Sequence, residues 1–75
     1  MRVIIYLKSS EGSTENVTYD FEFEEFRRLA ADFEKFLKEG TPKSGIYMCR
    51  IIDGPTEQGE RKKTELNFEK ISAIG

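Results

Sequence analysis

The sequence predicts an α+β domain: a four-stranded antiparallel sheet of order 2-1-3-4 with one helix packed across one face. Three observations lead there. Residues 16–21 (NVTYDF) alternate strictly between apolar and polar, the signature of a strand with one wet face. Residues 22–39 carry apolar side chains at helical spacing, between an acidic start and a Gly-Thr-Pro end. Residues 2–8 and 46–53 are apolar on both alternating sets, as in strands that lie inside a sheet rather than at its edge.

The first strand, Arg2–Lys8, offers Val3, Ile5 and Leu7 on one face and Ile4 and Tyr6 on the other. After a turn over Ser9–Thr14, the second strand, Asn16–Phe21, returns beside it. Pairing Lys8 with Asn16 sets Leu7 opposite Val17, Ile5 opposite Tyr19 and Val3 opposite Phe21, so all six share one face. The helix spans Glu22–Glu39, with Phe26, Leu29, Ala30, Phe33, Phe36 and Leu37 forming its apolar stripe. Glu22, Glu24 and Glu25 at its start and Lys35 and Lys38 near its end match the helix dipole. Gly40 supplies the left-handed residue that ends a helix, and Pro42 prevents its resumption.

The third strand, Ile46–Asp53, sets Ile46, Met48 and Ile52 on one face, interrupted by Arg50, and Tyr47, Cys49 and Ile51 on the other. Asp53–Gly59 reads as a hairpin connection. The fourth strand, Arg61–Phe68, is apolar only at Leu66 and Phe68, and placing Ile52 opposite Lys62 brings Met48 to Leu66 and Ile46 to Phe68. Ile71 and Ile74 then belong to a short C-terminal turn or strand that closes the core. Residues 1–75 form one such domain, with the second and fourth strands at the edges and the helix crossing over the first.

In that arrangement the helix covers the face of Val3, Ile5, Met48 and Leu66. The other face carries Ile4, Tyr6, Tyr47, Cys49 and Ile51 within a polar rim, the layout of an association surface. A second copy related by a two-fold axis is the simplest cover, which makes the expected partner a homodimer mate, with another protein as a further option. The chain's own tail or the 9–15 loop is the alternative cover. Arg50 is expected on the helix side, paired with Asp32, Glu39 or Asp53 or reaching the end of the sheet.

Composition narrows the chemistry. There is no histidine, and no spacing matches a zinc site, a phosphate-binding glycine loop or a calcium loop, so the expectation is a non-enzymatic protein with no cofactor. Cys49 has no cysteine to pair with and reads as a small buried hydrophobe. With no leader and no long apolar run, a cytoplasmic protein without membrane association is expected. A nucleic-acid-binding module is the rival reading, resting on Arg61, Lys62 and Lys63 and on Tyr6 and Tyr47 as stacking platforms. Twelve basic against fourteen acidic residues, a net charge of −2, argue against it, as do Asp53, Glu57 and Glu60 beside the basic run.

Overall fold

The structure, a computed structural model, describes residues 1–8, 15–52 and 60–75. The turn expected at Ser9–Thr14 and the connection expected at Asp53–Gly59 lie outside them. The described chain runs β1 (Arg2–Leu7), β2 (Glu15–Phe21), α1 (Phe23–Glu39), β3 (Ser44–Ile52), β4 (Lys62–Asn67), a 3₁₀ turn (Phe68–Lys70) and β5 (Ile71–Ile74). The class is α+β with an antiparallel sheet, as the sequence predicts, but the sheet has five strands in the order β4-β3-β2-β1-β5. β2 is therefore the central strand and not an edge. The helix joins two neighbouring strands rather than crossing over β1.

The β1–β2 pairing keeps the expected faces with a different register: Val3 lies opposite Tyr19 and Ile5 opposite Val17. A slip of two residues leaves every side chain on its own face. The β3–β4 pairing does not keep them. Leu66 faces Gly45 rather than Met48, and Tyr47 faces Thr64. That odd-numbered slip turns β3 over: Tyr47 and Cys49 point into the core, while Ile46 and Met48 point out.

Helix α1 ends as its sequence dictates. Gly40 adopts φ 79°, and its N–H donates to the Phe36 carbonyl at 2.8 Å. At the other end α1 takes over from β2 as the neighbour of β3. The β2–β3 pairing stops at Phe21 opposite Cys49, and the next N–H along the β3 edge, that of Met48, donates to the Glu25 carboxylate at 2.8 Å. One turn further on, the Arg28 guanidinium lies 5.3 Å from the Tyr47 ring centre, and two turns on Asp32 accepts from the Tyr47 hydroxyl at 2.6 Å. These contacts fix which flank of the helix faces the sheet.

The short step from β4 to β5 sets the shape. In a flat five-stranded sheet the edges would lie about 19 Å apart, four strand spacings. The four residue steps from Asn67 to Ile71 reach at most about 14 Å. Moreover, Asn67 pairs with Ser44 beyond the Phe21 end of β2, whereas Ile71 pairs with Leu7 at the opposite end of β1. The sheet must roll with a marked stagger, as strands do when they curl toward a barrel. The 3₁₀ turn is stitched on both sides, Phe68 N–H to the Lys43 carbonyl at 2.9 Å and Lys8 N–H to the Lys70 carbonyl at 2.8 Å. Asn67 Oδ1 accepts the Glu69 N–H at 3.0 Å and caps it.

Phe68, wholly buried in that turn, is the hub of the core. Its ring lies 5.7 Å from Phe33, 5.9 Å from Phe36 and 6.5 Å from Tyr47. Val3, Ile5, Phe21, Leu29, Cys49, Leu66 and Ile71 complete the concave side. Gly45 belongs to the same packing, because a Cβ there would lie 2.6 Å from the ring carbons of Tyr47. Gly45→Ala should therefore destabilise the fold by about 1–3 kcal/mol, the usual cost of overpacking, read as a fall in thermal midpoint. An unchanged midpoint would show that the Tyr47 ring does not cover Gly45.

Candidate association surface

Strand alternation and the rolled sheet separate the residues that the sequence groups on one open face. Ile4 and Tyr6 do point to the convex side, with Ile4 37% exposed. Tyr47 and Cys49 do not: they are 1% and 0% exposed, on the concave side with Val3 and Ile5. Ile51, opposite Tyr19, belongs to the concave set by alternation but lies at the end of β3, half exposed. The five residues thus form no single patch. The physical reason is the β3 register, which inverts one of the two contributing strands.

A charged row crosses the convex face where that patch was expected. Asp20, next to the last residue of the central strand β2, is almost fully buried beneath cations. Its carboxylate accepts from the Met1 amino group and Arg50 Nε, each at 3.1 Å, and from Arg61 Nη2 at 2.9 Å. Arg61 also reaches Glu22 at 3.1 Å. Arg50 therefore lies on the face away from the helix and is held by Asp20, not by Asp32 or Glu39; Asp53 is outside the described residues. The row divides the convex apolar groups into Ile4 and Tyr6 on one side and Ile46 and Met48 on the other.

The basic run is dismantled in the same way. Arg61 is engaged by Asp20 and Glu22, while the side chains of Lys62 and Lys63 leave β4 on opposite faces. Of the two lysines, Lys63 is on the convex side, where it lines an open cleft of about 390 Å³ with Glu25, Arg28, Ile46 and Met48. The acidic start of the helix is structural: Glu25 binds the Met48 N–H and Arg28, and both contacts hold its carboxyl below the usual range. Burial pushes the Cys49 thiol up, away from the thiolate. No three Cys, Asp or Glu side chains converge as metal ligands among the described residues.

The helix holds what sequence reasoning placed wrongly. Leu29 and Phe33 are buried and Phe26 and Phe36 pack against the core, but Ala30 and Leu37 are exposed, Leu37 at 66%. Phe23, at the first helical position, is 63% exposed with Arg27 over its ring at 5.8 Å. The sequence signal for this was available: the apolar stripe spans more of the helix circumference than one seam needs. A further opening of about 210 Å³ lies between Ile5, Leu7, Tyr19, Leu66 and Ile71, on the concave side near the 3₁₀ turn. No described helix is long and apolar enough to cross a membrane. The chain matches no protein-family model, no curated protein and no solved structure.

Two tests address these placements. The Met1 amino group, with Arg61 second to it, holds the Asp20 carboxyl below its ordinary value, so its stabilisation is complete above about pH 3.9. That contribution is lost as pH falls through the lower folded value. Asp20→Asn should cost about 1–2 kcal/mol at neutral pH and flatten the acid limb of a denaturation–pH profile; an identical acid limb would contradict the clamp. Cys49 should resist a disulfide reagent at pH 8 in the native state and react fully in denaturant; fast native labelling would contradict its burial.

Proposed function

We propose that this chain is a small, non-enzymatic protein–protein interaction domain that associates first with itself. The observation that supports this is an apolar surplus. Phe23, Leu37, Ile46 and Ile51 are each at least half exposed although the core is already filled by other side chains. Exposing four large apolar groups on a chain of 75 residues has a cost in water that association removes. The buried polar groups are committed to the fold: no described buried side-chain polar atom lacks a hydrogen-bond partner.

A cytoplasmic site of action fits a lone buried cysteine that takes no part in a disulfide. The nucleic-acid reading draws little from the geometry, because Arg61 is neutralised and Tyr47 is buried where no base could stack on it.

Sedimentation velocity over tens to hundreds of micromolar is expected to show a concentration-dependent rise toward dimer mass. A single monomer boundary across that range would remove self-association. Saturable binding of an oligonucleotide at low salt, lost on Lys62→Glu and Lys63→Glu, would favour the rival.

A further inference from the structure

Three of the four exposed apolar residues of α1 fall in one line; the fourth, Ala31, lies about 100° round the helix from Ala30. Phe23, Ala30 and Leu37 are seven residues apart, and two helical turns bring residues at that spacing back to within about 20° of each other. The seam formed by Phe26, Leu29, Phe33 and Phe36 faces the core. Glu25, Arg28 and Asp32 occupy the flank toward β3, as their contacts with Met48 and Tyr47 establish. The line of Phe23, Ala30 and Leu37 therefore runs along the opposite flank, with Arg27 and Glu34 beyond it.

That flank is its own complement. About Ala30 as centre, Phe23 and Leu37 are equidistant, and Arg27 and Glu34 stand on either side with opposite charge. Resting on the self-association reading, the geometry points to a second copy of this chain docked antiparallel along α1, with the two-fold axis passing between the paired Ala30 residues. Each Phe23 then packs on Leu37 of the second copy, and each Arg27 lies beside Glu34 of the second copy. An alanine at the crossing lets the helices approach at the short end of the usual 8–10 Å separation, roughly 8 Å. Charges bordering a heptad-spaced seam set orientation. In the antiparallel pair the charged flanks of both copies lie on the same side of the seam, so Arg27 meets Glu34, whereas a parallel two-fold would put them on opposite sides, where they could not pair. Glu34 already bonds Lys38 of its own helix at 2.9 Å and has room for a second cation, because both side chains are mostly exposed.

A two-fold interface uses the same patch on both subunits, so opposite charges placed on either side of its centre meet across it. The convex cleft lined by Ile46, Met48 and Lys63 carries two large apolar groups but belongs to a different surface, so it serves as the control. One helical flank of a 17-residue helix is smaller than the roughly 800 Å² per partner of a stable complex, so the dimer is a weak one.

The test combines mass and cross-linking. Ala30→Cys should give a disulfide-linked dimer under mild oxidation, whereas Ile46→Cys should not. Leu37→Glu should weaken the dimer at least about tenfold in sedimentation, with circular dichroism unchanged because the side chain is exposed. Arg27→Glu and Glu34→Arg should each weaken it, and the two changes together should restore it. A dimer that survives Leu37→Glu and does not cross-link at position 30 overturns the helix interface while leaving self-association intact. Monomer at every concentration overturns both.

Discussion

The constraint on which the rest of the structure depends is the brevity of the step from β4 to β5. Three residues, Phe68–Lys70, carry the chain from one edge of a five-stranded sheet to the other. No flat sheet permits that, so the sheet rolls, and rolling creates an inside. The side chain at the centre of the step, Phe68, falls at the middle of that inside, in contact with aromatic rings from α1 and β3. Once a concave face exists, each inward position is limited in volume, which explains why a glycine sits beneath the Tyr47 ring. The helix closes what the strands leave open, and it does so on the flank where β3 has outrun β2.

Much of the local structure was legible in the sequence. Strict alternation in β2 leaves one choice of inward face, and β1 follows whichever register is taken, because the observed slip is even. The helix announces its ends through Gly40 and its acidic first turn. β3 was not legible in the same way. Ile46, Met48 and Ile52 are as apolar as Tyr47, Cys49 and Ile51, so pattern alone cannot choose between its faces. The choice rests on its neighbour β4, where Leu66 is the one apolar residue, and Leu66 lies opposite a glycine. A hydrophobic-pairing rule looks for Met48 there and turns the strand over. The sheet order was hidden for a related reason: β5 has only four residues, and its partner strand is at the other end of the sequence.

The candidate surface shows the same limit in a second form. Counting apolar positions on α1 finds the stripe but not its width relative to what the sheet covers, since coverage depends on where β3 and Phe68 meet the helix. Ala30 and Leu37 look like core until that contact is drawn. The acidic and basic residues behave conversely: Asp20 and Arg61 look like scattered surface charge in sequence, yet the strand order brings them together across β3. Their pairing ties up Arg61, the first residue of the basic run, in contacts within the fold.

The β5 edge carries a consequence for how the fold is reached in time. The β1–β2 hairpin and α1 assemble from residues close in sequence, whereas Ile74 must find Ile5 from nearly the full length of the chain away. Closing so large a loop costs chain entropy before any edge hydrogen bond offsets it, so such pairings slow folding. Until β5 docks, the outer edge of β1 presents unpaired backbone groups beside Ile71 and the unfilled concave face. An unpaired edge of that kind is open to pairing with another molecule, and in the folded chain the two hydrogen bonds between Ile4 and Gly75 close it.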